Sequence, residues 1–274
     1  MLTDYHVHLR PDDLEATAEE FFTAANVDRY REAADAAGVA ELGVSEHIYR
    51  FKDALTVWDH PFWRQNAVDE LGAYCEFARA AGLRVGIEMD FVPGREDAIA
   101  NVLDAHEFDY VIGSVHFVGE LAVDDESFDV WRGGTDPDKL WERYFLTIAE
   151  AARSGLYDVL AHPDLIKYWG GHRPAPARDP RFHYEPAIEA IGETGVAVEV
   201  STAGLRKPIG ELYPAPEFAA MCVDADACFA LSSDAHVPEH IGYEYERAVS
   251  AMREWGVSAL AGFDRRERRL EELG

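Results

Sequence analysis

A chain of 274 residues with 48% hydrophobic and 12% aromatic residues can bury a sizeable core, which excludes a disordered protein. Its 52 acidic against 25 basic residues leave a formal charge of −27, and a field of that sign argues against nucleic-acid and anionic-membrane partners. Three cysteines without a C-x-x-C pair, no signal-like start and no apolar run of roughly 18 residues predict a soluble, cytoplasmic protein with reduced thiols.

In chain order, the first β-rich run is "LTDYHVHL", which carries His6 and His8. Alternate side chains of a strand share a face, so these two imidazoles can address one point. "ELGVSEH" follows and ends on His47. Helical spacing of Val68, Leu71, Cys75 and Ala78 predicts a helix over 66–81 that stops at Gly82. "RVGIEMDF" carries Glu88, and "YVIGSVHF" brings His116. Asp136 followed by Pro137 reads as a cap and first-turn pair, opening a helix through Leu140, Tyr144, Ile148 and Ala151 to Gly155. "DVLAHPD" supplies His162, and the Gly- and Pro-rich stretch 168–186 is expected to be an irregular loop over the same end of the fold. "VAVEVSTA" ends near Ser201, and "CFALSSDAH" brings Asp234 and His236 two residues apart.

Seven such runs alternating with helices predict an α/β fold with a parallel sheet and right-handed crossovers. The polar residues fall at the C-terminal ends of the runs and recur every 28 to 46 residues, close to one βα unit. A closed barrel gathers those ends on a single rim, where active sites are built. Without an internal repeat or linker, residues 1–274 read as one domain.

His6, His8, His47, Glu88, His116, His162, Asp234 and His236 exceed the four to six ligands that one ion takes, so two or three ions of Zn, Mn or Fe are implied. His60, His106, His172, His183 and His240 are read as structural. A polynuclear rim site suits hydrolysis, since such ions lower the pKa of water. The opening "HVHLR" is similar to the start of dihydroorotase-type amidohydrolases, in which the arginine, here Arg10, would bind a substrate carboxylate. Those proteins need a bridging lysine on a middle strand, and no lysine lies between Lys52 and Lys139.

The succession "HVH", "SEH", "GIEMD", "GSVH", "AHPD" and "SSDAH" resembles the polymerase and histidinol phosphatase (PHP) family along essentially the whole chain. "GIEMDFVPG", "EVSTAGLRKPIGELYP" and "LSSDAH" look like its histidinol-phosphatase branch. The resemblance implies a distorted, TIM-like (β/α)7 barrel with a trinuclear metal site. His6, His8, Glu88 and Asp234 would hold one ion, Glu88, His116 and His162 a second, and His47, His236 and an early residue the third. Relatives often place a histidine near position 14, which is Leu14 here; Asp12, Asp13 and Glu15 are the nearby acids, and Asp13 is chosen, with a helix cap as its other role. Arg206 would bind phosphate and act in catalysis with Glu88 and Asp234, and Lys207 and Lys167 are weaker phosphate candidates. The implied substrate is a small phosphomonoester, L-histidinol phosphate of histidine biosynthesis first, with another small-molecule or nucleotide phosphatase, then an amidohydrolase, as alternatives.

Overall fold

A computed structural model of the chain describes residues 1–13 and 15–273. Its strands in chain order are β1 Thr3–Asp4, β2 Glu41–Val44, β3 Arg84–Asp90, β4 Tyr110–Ser114, β5 Phe117–Val118, β6 Leu121–Ala122, β7 Val159–Leu160, β8 Ala197–Ser201, β9 Phe229–Ser232, β10 Ala259–Asp264 and β11 Glu267–Glu272. β1, β2, β3, β4, β7, β8 and β9 pair in parallel in that order. The ring closes where Val7 bridges Ala235: the His8 N–H donates to the Ala235 carbonyl at 2.7 Å and the Ala235 N–H to the His6 carbonyl at 3.3 Å. The seven runs read from the sequence are thus the seven staves of a parallel α/β barrel. Two hairpins are added to it, β5–β6 after the fourth stave and β10–β11, which joins β9 through Leu260 and Phe229.

β3 shows how the staves are built. Val85, Ile87 and Met89 face outward into the large core shared with the helices, while Gly86, Glu88 and Asp90 take the opposite, inner face. The inner face changes along its length. At Gly86 an added Cβ would meet the Tyr110 ring at 2.2 Å, so the missing side chain makes room for that ring at the lower end. Above it the carboxylates of Glu88 and Asp90 replace apolar side chains. β4 follows the same plan, with Tyr110 and Ile112 in a small inner cluster alongside Tyr5, Val159, Ala197, Ala230 and Phe263.

The helices depart from the sequence reading in two places. The helix expected over 66–81 begins only at Leu71 and runs to Ala80, with Val68 exposed, because residues 68 and 69 are drawn off to bond the Arg50 carbonyl. The stretch 168–186 is not irregular throughout: a helix Arg181–Thr194 starts inside it and passes through Pro186. Packing overrides the proline there, since His183, Tyr184, Ala187 and Ile188 are buried and the Tyr184 ring meets Phe145 and Phe218 edge-on. The helix Pro137–Arg153 matches its expectation, with the Asp136 carboxylate accepting from the Asp138 N–H. No helix among the described residues is long and apolar enough to cross a membrane.

Candidate metal centre

The C-terminal ends of the staves converge on Glu88. Its carboxylate lies 3.3 Å from His6 Nε2, 3.6 Å from His8 Nε2, 3.4 Å from His116 Nε2 and 3.3 Å from His162 Nε2, and His47 Nδ1 is in direct contact with it. Asp234 closes the other side, with Oδ1 at 3.7 Å from His6 Nε2, 3.4 Å from His8 Nε2 and 3.5 Å from His236 Nδ1. Donor atoms gather within 4.8 Å of one another in four overlapping sets: His6, His8 and Glu88; His6, His162 and Asp234; His47, Glu88 and His116; and His8, His47 and His236. Two of these residues have strained backbones, His162 at φ +22° and Asp234 at φ +51°, a feature that concentrates at functional sites.

The electrostatics suit cations. Burial would raise the Glu88 carboxyl, yet His47, His6 and His116 hold it well below the usual carboxylate range. Burial, with His236 and His47 beside it, drives the His8 imidazole well below its ordinary value, so it is neutral with a lone pair to donate. His6 Nε2, both His8 nitrogens, His47 Nδ1 and Glu88 Oε2 are buried without a hydrogen-bond partner. Orphaned donors of this kind are costly unless a ligand satisfies them, and neutral imidazoles with carboxylates are the donors that Zn, Mn and Fe take. The set therefore fits metal ions.

Side chains that the sequence reading did not single out hold these groups in place. Glu199, on the inner face of β8, accepts from His6 Nδ1 at 2.7 Å, from the His162 N–H at 2.6 Å and from the Ser232 hydroxyl. Asp90 accepts from His116 Nδ1 at 2.7 Å. Such carboxylates fix the tautomer and direction of a metal-binding imidazole. The period-2 alternation could have found Asp90, which shares a face with Glu88. Nothing in one strand's sequence says that Glu199 reaches a histidine on another.

The early acid next to the cluster is Asp12. Its carboxylate lies 2.9 Å from His236 Nε2 and 3.6 Å from His47 Nε2, pulled in by Arg50 Nη2 at 2.6 Å. Asp13, the residue chosen from the sequence, lines the cleft but accepts the Glu15 N–H at 2.9 Å in a local turn; it is not a helix cap either, since Thr17 caps the helix that follows. Leu14 lies outside the described residues. Arg206 Nη2 donates to the Ser233 and Asp234 carbonyls at 2.8 and 3.0 Å, leaving the buried Nη1 without a partner. Lys207 lines the cleft beside the cluster. Lys167 is committed elsewhere, to Asp164 at 3.0 Å and the Leu212 carbonyl at 2.9 Å, and Arg10 is tied to Asp69 at 2.7 Å. Two of the histidines read as structural, His60 and His183, are buried in contacts of their own: the first stacks on Trp58, the second lies 3.1 Å from Asp138.

The cleft has a volume of about 370 Å³, within the range of small-molecule sites, and Phe62, Phe117, Phe128 and Tyr168 form its aromatic walls. A seven-stave parallel barrel with an imidazole–carboxylate cluster at its rim defines the class: a metal-binding α/β barrel. Comparison with known proteins identifies the family. The PHP domain model matches residues 20–203. A probable histidinol-phosphatase of Deinococcus radiodurans is 34% identical over 235 residues, covering 83% of this chain and 86% of that protein. One of Clostridium acetobutylicum is 22% identical, covering 91% and 92%. In fold the chain is similar to the histidinol phosphate phosphatase of Lactococcus lactis solved with zinc, L-histidinol and phosphate, at TM-score 0.75 and 18% identity over 98% of both chains. A putative histidinol phosphatase of Listeria monocytogenes gives a TM-score of 0.71 at 17% identity, over 89% of this chain and 99% of that one. The chain belongs to the PHP family.

Proposed function

We propose that this protein is a metal-dependent phosphomonoesterase that hydrolyses L-histidinol phosphate to L-histidinol and phosphate, a cytoplasmic step of histidine biosynthesis. The observation that carries the reading is the convergence of five imidazoles on the single Glu88 carboxylate in a chain of this family. Three ions are the reading the donor set supports best: one with His6, His8, Glu88 and Asp234, a second with Glu88, His116 and His162, a third with His47, His236 and Asp12. Bound there, divalent ions supply an activated water and neutralise the oxygens of the phosphoryl group.

The chain's own residues do the rest. Glu88 and Asp234 bring negative charge between the imidazoles, which would offset part of the repulsion among closely spaced cations. Glu199 and Asp90 hold the His6 and His116 rings by their far nitrogens, and Arg50 holds Asp12. The Lys207 ammonium on the cleft wall offers positive charge to the phosphate, and Arg206, bonded to the Ser233 and Asp234 carbonyls behind the wall, adds to it. The amidohydrolase alternative loses its anchor, because Arg10 is already paired with Asp69.

Phosphate release should be measured over a panel of phosphomonoesters, with dihydroorotate as the amide control and the metal-stripped protein as blank. L-Histidinol phosphate is expected to lead the panel, and activity is expected to return with more than one equivalent of Zn, Mn or Fe. Dihydroorotate turnover without phosphate release, or full activity with a single ion, sinks the proposal.

A further inference from the structure

Most charged side chains lining the cleft already have partners. Arg10 is paired with Asp69, Arg50 with Asp12 and Glu46, and His116 with Asp90. Asp13 accepts from the Glu15 N–H, and Asp125 from the Ser127 and Phe128 N–H groups. Two stand apart. Among the described residues Asp124 has neither a hydrogen bond nor an ion pair, and Lys207 has only its approach to the Tyr168 ring, at 5.7 Å from the centroid. Asp124 is half-buried in the loop after β6 and lines the cleft, near enough to His116, His162 and Lys207 to feel their charge but bonded to none of them.

A partly buried, unpaired carboxylate is costly to hold in a folded protein, so its place in the cleft calls for a cation that arrives with the ligand. A cleft with one free anion and one free cation suits a substrate bearing both charges. The phosphate end belongs beside the metal cluster and Lys207, and the ammonium end is left for Asp124. We propose that Asp124 is a specificity residue that reads the ammonium group on the alcohol portion of the substrate, between the aromatic walls of Phe62, Phe117 and Phe128. This rests on the phosphomonoesterase reading and adds to it the residue that reads the charge of the leaving alcohol.

The two halves of the substrate allow a test by titration calorimetry of the metal-loaded protein with L-histidinol and with inorganic phosphate separately. Asp124→Asn is expected to weaken L-histidinol by at least about tenfold, the scale set by one charge-assisted hydrogen bond, and to shift phosphate by less than about threefold. Equal weakening of both ligands, or unchanged L-histidinol affinity, overturns the proposal. Asp124→Glu keeps the charge and should bind L-histidinol better than Asp124→Asn; the reverse order overturns it even where both variants lose stability. To separate this from the choice of substrate, kcat/KM is compared for 2-aminoethyl phosphate and ethyl phosphate. If wild type ignores L-histidinol phosphate, the function proposed above falls, while a drop in the amine-to-alkyl ratio in Asp124→Asn still supports the ammonium role and an unchanged ratio overturns it.

Discussion

The two ends of the barrel are built from the same strands and follow opposite rules. At the lower end polar groups pair with one another: the Tyr110 hydroxyl donates to the Tyr5 carbonyl at 2.6 Å, Glu41 accepts from the Tyr5 hydroxyl and Arg269, and Arg84 pairs with Asp264 at 2.9 Å. The β10–β11 hairpin contributes Phe263 and Arg269 to this end. At the upper end, buried imidazole and carboxylate atoms stand without hydrogen bonds. The lower end is organised for stability. The upper end keeps unsatisfied groups in place by resting on it, as in barrels whose chemistry sits at the C-terminal face.

Substitutions at the two ends should therefore separate activity from stability. The largest effect is expected at Glu88, where five imidazoles meet. Glu88→Gln should lower turnover by about 10³-fold or more, the scale of losing a principal electrostatic element, with circular dichroism unchanged. Near-normal turnover with metals bound would move the centre of the rim elsewhere. Next comes the neighbouring pair of acids. Asp12→Asn should lose about 10- to 100-fold in activity or metal affinity, while Asp13→Asn, which gives up only a turn hydrogen bond, should stay close to wild type in steady-state assays and elemental analysis. The opposite ranking would restore Asp13 as the ligand.

The smallest effect on activity is expected at the lower end. Gly86→Ala would set a methyl against the Tyr110 ring and should cost about 1–3 kcal/mol in denaturant unfolding, with turnover per folded molecule unchanged. A variant that keeps its stability but loses turnover would mean the two ends are coupled more tightly than their bonding suggests.

Much of this was legible in the sequence, and the reason is local. Buried parallel strands need short runs of Val, Ile and Leu, so a His, Glu or Asp at their ends stands out, and the eight imidazole and carboxylate side chains read there do lie in the one cluster. Alternation also told that His6 and His8 would share a face. It did not tell depth: Gly86 and Glu88 share a face, and only the height within the barrel makes one a space for Tyr110 and the other the centre of the site.

Whatever depends on a distant partner was decided by the tertiary structure alone. Asp12 and Asp13 are equivalent acids in the chain, and it is Arg50, from beyond the second stave, that turns Asp12 toward His236. Glu199 was invisible because its histidines come from β1 and from beyond β7, and a sequence does not state which strands will lie beside one another. The helix through Pro186 forms because Phe145 and Phe218 give Tyr184 a place to be buried, a gain that local propensity cannot register. Composition and periodicity thus determined the barrel and its ligand-bearing rim, because those are properties of single strands; the supporting carboxylates, the choice of early acid and the free charge at Asp124 arise only where separate segments meet.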